Sequence, residues 1–219
     1  MKKTNNLSHT RYAAGIGVFS ALAYLTTLVC KLIPDVEGFL SLDAKDAVIS
    51  IAAFIFGPLS APIISLIVCF VEMITISSTS WYGFVMNLAS STVFSLTASL
   101  IYKKGKSYNS AILGFFMSVV LVVSVMLCLN TLITPLYFGF PRSVVVDMIP
   151  DVLFPFNLAK SLINSALALL LYKPIINSLR AARLIPRGEH RTQFNKNTVI
   201  TIVIGSLLIV ASVIILLYI

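Results

Sequence analysis

Ile149-Pro150-Asp151-Val152-Leu153-Phe154-Pro155-Phe156-Asn157-Leu158-Ala159-Lys160-Ser161-Leu162-Ile163-Asn164 opens a largely apolar run that continues to Lys173. A helix needs roughly 20 apolar residues to cross a hydrocarbon layer about 30 Å thick, and this run is long enough. Asn157, Lys160 and Asn164 follow one another at helical offsets of three and four, so they share one face. A lysine far inside a membrane span costs about 2.5 to 3.5 kcal/mol on insertion scales, so it should face the interior of a helix bundle and have a partner there. Two partners fit: an oxygen-rich ligand, or an ion pair with Asp43 or Asp46. The two flanking amides, which offer donors and acceptors together, favour the ligand.

Outward from this run, the whole chain is too apolar for a soluble domain. Of its 219 residues, 58% are hydrophobic and 11% charged, against about 25% charged in soluble domains. Apolar blocks separated by breakers predict helical spans near 10–33, 43–56, 59–78, 83–101, 110–134, 149–173 and 198–219. The first of these, from Tyr12 to Ile33, is too long for a cleaved signal segment and is read as a retained helix. An all-α integral membrane protein is the expected class, because short alternating strands, the mark of a barrel, are not found.

The net charge of +8 sits between the spans rather than on a soluble domain, so nucleic acid is not expected as a partner. Lys2, Lys3 and Arg11 precede the first span. Lys103, Lys104 and Lys106 form a second cluster, and Lys173, Arg180, Arg183, Arg187, Arg191 and Lys196 a third. One alternating topology puts all three on the cytoplasmic side, the N-terminus included, and predicts a multi-pass protein of the cell membrane. Asp35, Glu37, Asp43, Asp46, Asp147 and Asp151 then fall in or beside outer loops.

Other polar residues inside or beside the spans are candidates for the same site. Asn130, Thr131 and Thr134 precede Pro135 at the outer end of the fifth span, either meeting the sixth or capping a turn that the proline ends. Trp81 and Tyr82 fit an aromatic belt or a stacking surface for a flat ligand. Glu72 has no evident partner. In the first span Ala13, Gly17 and Ala21 recur every four residues, a small-residue ridge that suits close helix approach, either to a partner or within the bundle. Cys30, Cys69 and Cys128 are isolated and expected to be buried, and no metal site is indicated.

Enzyme signatures are missing. Gly105-Lys106-Ser107 resembles the end of a phosphate-binding loop, but Leu100 stands where that loop requires glycine. There is no nucleophile elbow and no paired-carboxylate helix, so neither catalysis nor a cofactor is expected.

Three segments resemble the S components of energy-coupling factor (ECF) transporters, and among them the riboflavin-binding type. Leu40-Ser41-Leu42-Asp43-Ala44-Lys45-Asp46 with Phe56-Gly57-Pro58 is similar to the family's second-helix signature, Phe156-Asn157-Leu158-Ala159-Lys160 to its sixth-helix ligand motif, and the ridge of span one to its docking surface. The resemblance covers about residues 10–175. It implies a six-helix vitamin-binding subunit, with no ATPase of its own, that works with a transmembrane coupling protein and two ATP-hydrolysing subunits. It also implies ligand contacts at Asn157, Lys160 and Asn130, with Leu42 and Asp43 near the same outward-facing pocket. The expected organisation is a membrane-embedded bundle over 1–175, a basic cytoplasmic linker over 176–197 containing Pro186-Arg187-Gly188, and an additional seventh transmembrane helix over 198–219, which the six-helix plan lacks. The competing readings are an S component for another small vitamin or precursor, such as a pyrimidine or pantothenate, and a non-transport membrane scaffold.

Overall fold

The computed structural model describes residues 9–139, 141–181 and 196–219. The linker basic residues Arg183, Arg187 and Arg191, and Lys2 and Lys3, lie outside them. The described residues form helices α1 (His9–Cys30), α2 (Lys45–Phe56), α3 (Ser60–Thr75), α4 (Ser80–Gly105), α5 (Tyr108–Phe138), α6 (Arg142–Met148), α7 (Phe154–Ala181) and α8 (Lys196–Tyr218). Four helical stretches are long and apolar enough to cross a membrane: His9–Cys30, Ser80–Gly105, Asn109–Phe138 and Arg142–Tyr172. Ser60–Thr75 and Val203–Tyr218 are shorter apolar helices.

The turns show why the chain reverses where it does. Gly57 takes φ 101° between α2 and α3, a conformation open to glycine at little cost, and its carbonyl accepts from Ser60 Oγ at 2.8 Å. Lys106 closes α4 in the left-handed region with its N–H on the Tyr102 carbonyl, and Ser107 caps α5 by accepting from the Ser110 N–H. The α2–α3 and α4–α5 turns thus lie at one end of the bundle, called here the basic end. The α1–α2 loop, the α3–α4 turn and the α5–α6 connection lie at the other.

Two features depart from the span pattern. Pro135 does not end α5, which continues through Tyr137 and Phe138 to a Gly139 cap at φ 70°. The expected long outer loop is therefore the last turn of α5 followed by the short α6. Between α6 and α7 the backbone widens into a π-helical turn over Ile149–Leu153. Pro150 and Pro155 flank or occupy it, and each lacks the N–H that a regular turn would use.

The main core joins α1 (Ile16, Phe19, Ala23), α2 (Ile49, Ile51, Ala52), α3 (Ile64, Val68), α4 (Phe94, Ala98) and α5 (Phe115, Val122). The helices approach closely where side chains are small: a Cβ on Gly114 of α5 would stand 2.8 Å from the Ala98 carbonyl oxygen of α4. A second cluster of Leu40, Val145, Leu153 and Phe156 underlies the end opposite the basic one, with Leu216 and Ile219 at the end of the chain packed on it. Gly205 of α8 lies against Leu170 of α7, so the seventh helix runs along α7. Lipid-facing side chains such as Val29, Leu66 and Phe116 remain exposed, as a bilayer solvent requires.

Candidate functional site

The π-turn and the proline pair place the start of α7 against the α1–α2 loop, and a cavity opens between them, about 770 Å³ of empty space with the solvent at its open mouth included. Its deep wall carries Asn130 of α5, Asn157 and Lys160 of α7, Glu72 of α3 and Asn87 of α4. Asn130, Asn157 and Glu72 are 1%, 5% and 4% exposed, so these are buried polar groups presented to an internal space. The mouth is aromatic. Phe39 packs edge-on to Phe138 with ring centroids 5.1 Å apart, Phe138 meets Tyr137 at 4.6 Å, and Tyr137 meets Tyr82 at 5.1 Å. A concave space with an aromatic mouth and a few convergent polar groups is the usual form of a small-molecule site.

Lys160 takes both parts that the sequence leaves open for it. Its Nζ donates to Asp43 Oδ2 at 2.8 Å and to the Ser41 carbonyl at 3.4 Å, and it also lines the cavity. An ammonium has three N–H donors, so one remains for a ligand. Asp43 Oδ2 is shared, because Lys45 Nζ reaches it at 3.0 Å, and Lys45 also pairs with Glu72 at 2.8 Å. Glu72 therefore has a partner after all, one from α2, and accepts a further bond from Asn87 Nδ2 at 3.1 Å. This chain of charges links α2, α3, α4 and α7 behind the cavity wall. Each ion has an opposite charge and hydrogen bonds, the condition under which burial is tolerated.

The amides divide. Asn157 Nδ2 donates to the Leu153 carbonyl in the π-turn at 2.7 Å, which leaves its amide oxygen to the cavity. Asn130 donates to the Met126 carbonyl and accepts from Thr134 Oγ1, so it is held in one orientation at the cavity wall. Asn164 does not line the cavity. Its oxygen accepts from the Ala47 N–H at 2.9 Å and its nitrogen donates to the Asp43 carbonyl at 2.8 Å. Ala44 offers no side-chain cap to α2. Asn164 supplies that cap from the distant α7, satisfying one of the free N–H groups of the first turn.

The remaining candidates lie beside the cavity rather than in its wall. Thr131 turns its hydroxyl back on the Leu127 and Cys128 carbonyls. Trp81 is 64% exposed and packs edge-on to Phe84. Its neighbour Tyr82 lines the cavity instead, because both sit in the first turn of α4, where successive side chains point about 100° apart. Leu42 is half-buried, and Asp43 stands behind the wall. In α1, Ala13, Gly17 and Ala21 all face outward, and nothing lies within 4 Å of a Cβ on Gly17. Cys69 is buried but Cys128 is exposed, against the expectation that all three cysteines are buried. No group of metal-ligating side chains occurs among the described residues.

Sequence reasoning named Asn130, Asn157 and Lys160 of the polar wall and Tyr82 of the mouth, but not Asn87, Lys31 or the mouth residues Phe39, Tyr137 and Phe138. Those residues come from segments far apart in the chain, and no spacing rule connects them.

Comparisons with known proteins agree with this architecture. Residues 11–176 match the family model described as "ECF transporter, substrate-specific component". The riboflavin transporter RibU of Staphylococcus aureus (strain TCH60) is 28% identical over 80% of this chain and 95% of its own length. The riboflavin transporter FmnP of Bacillus subtilis (strain 168) is 24% identical over 77% of this chain and 95% of its own length. A solved structure reported as "Structure and mechanism of the S component of a bacterial ECF transporter" superposes with a TM-score of 0.68 at 27% identity, covering 79% of this chain and 99% of the other. With most of its length matched to one family model and an all-helical bundle matched to a solved member, this multi-pass membrane protein, a transporter subunit and not an enzyme, belongs to the substrate-specific (S) components of the ECF transporters.

Proposed function

We propose that the chain captures riboflavin in the aromatic-mouthed cavity and delivers it to an ATP-driven coupling complex. The observation that carries this reading is the wall of Asn130, Asn157 and Lys160, three buried polar groups facing one cavity. A flavin ring presents carbonyl oxygens, ring nitrogens and one N–H along an edge. Lys160 offers a donor and Asn157 an acceptor for that edge, and the aromatic side chains at the mouth suit a flat ring. The relatives named as riboflavin transporters supply the choice of vitamin. The partners in this reading are a transmembrane coupling protein and two ATP-hydrolysing subunits, which dock on the outward ridge of Ala13, Gly17 and Ala21. The N-terminus and the Lys103 to Lys106 turn are cytoplasmic, by the positive-inside rule, so that the cavity opens outward.

The test is the absorbance spectrum of the protein purified from riboflavin-fed cells, followed by titration of stripped protein. A yellow protein that binds riboflavin with one site per chain is expected. A colourless protein that gives no heat with riboflavin overturns the assignment.

A further inference from the structure

The polar lining of the cavity falls into two groups by element, and only the α5 and α7 group is used by the ring contacts proposed above. The second is built from a single hairpin, the end of α3 and the start of α4. It presents Glu72, Ser77, Thr79 and Asn87 to the cavity. Its geometry is fixed from behind: Lys45, fully buried, holds Glu72 Oε2 at 2.8 Å, and Glu72 Oε1 accepts from Asn87 Nδ2 at 3.1 Å. One N–H of the Asn87 amide is given to Glu72, which leaves its carbonyl oxygen available as an acceptor, and an amide oxygen accepts and never donates. Beside it, Ser77 Oγ and Thr79 Oγ1 lie 3.3 Å apart as hydroxyls that can donate or accept. The wall is thus rich in acceptors and hydroxyls, whereas the α7 wall carries the ammonium of Lys160.

We infer that this α3–α4 wall reads the hydroxylated side chain of the ligand, with Asn87 as the contacting, specificity-determining residue and Glu72 as the residue that positions it. The inference rests on the riboflavin reading and extends it, since aliphatic hydroxyls are strong donors that need acceptors in a water-poor site. With the ring seated against α5 and α7, the α3–α4 group is the polar lining that remains for the chain. A substrate lacking hydroxyls leaves the Asn87 carbonyl oxygen without the bond that water would otherwise give it, the arrangement that produces the strongest discrimination in polar sites.

The experiment compares riboflavin with lumiflavin, which has the same ring without the hydroxylated chain, by titration into purified, flavin-free protein. Wild type should bind riboflavin more tightly than lumiflavin. Asn87→Ala should lower riboflavin affinity about tenfold and leave lumiflavin affinity unchanged, so that the ratio of the two falls. Glu72→Gln, which loosens the clamp on Asn87, should shift the same ratio in the same direction, and Asn87→Ser, which keeps a small polar group, should recover part of it. Parallel losses for both flavins in Asn87→Ala and Asn87→Ser would show a structural role and overturn the inference, and so would an unchanged ratio. Wild type that binds neither flavin overturns the riboflavin reading itself. Wild type that binds both equally keeps that reading and removes only this one.

Discussion

At the scale of the residue, Lys160 and Asp43 are not equivalent partners. Asp43 Oδ2 holds two lysines, Lys160 at 2.8 Å and Lys45 at 3.0 Å. Removing Lys160 leaves Asp43 paired with Lys45, whereas removing Asp43 takes the counter-charge of Lys160 and leaves Lys45 with Glu72 alone. Lys160→Ala should therefore weaken riboflavin binding by about 1 to 3 kcal/mol, the cost of a lost contact to a buried polar group, with a small change in melting temperature. Asp43→Ala should destabilise the fold by about 3 to 5 kcal/mol, the range for breaking a buried pair. Titration calorimetry and thermal melts on the two variants read the difference; a large melt shift in Lys160→Ala with unchanged affinity would remove the lysine from the site. The sequence shows that Lys160 needs a buried partner, because helical spacing and the cost of a charge in hydrocarbon depend only on local order. It does not show that Asn164, one turn further on the same face, serves the backbone of α2. That role is set by the approach of α7 to an uncapped helix start, which is a tertiary fact.

At the scale of the element, the spans are legible because apolar length is a direct requirement of the bilayer, and each predicted block contains a helix. The exceptions have local causes. A proline usually marks a helix end, yet Pro135 lies inside α5, and that extension brings Tyr137 and Phe138 to the cavity mouth. The proline pair at 150 and 155 does mark an irregular turn, and the π-turn there turns the Leu153 carbonyl towards Asn157. In α1 the ridge of Ala13, Gly17 and Ala21 is exposed, while the neighbouring Gly15 is covered by the Phe56 ring. Gly17→Phe should consequently leave riboflavin binding by the isolated subunit intact and reduce vitamin uptake by cells at least tenfold, as measured with labelled riboflavin. Loss of binding in the same variant would assign the ridge to internal packing.

At the scale of the whole molecule, α8 adds something that the six-helix plan does not have. It runs along α7, and its far end at Leu216 and Ile219 packs on the cluster that supports the cavity loop and the π-turn. The chain therefore enters α1 at the basic end of the bundle and leaves α8 at the cavity end, and on the topology proposed above these two ends would face opposite compartments. A secreted phosphatase whose fold depends on disulfides matures only in an oxidising compartment. Fused after Ile219 it should be active in intact cells, whereas the same reporter inserted in the Lys103 to Lys106 turn should be silent; the reverse pattern would invert the topology. Any affinity tag or fluorophore placed after Ile219 would then stand beside the entrance through which the vitamin passes, so a cell-surface antibody against it could label the transporter without permeabilisation and, if bulky, could slow uptake by obstruction alone.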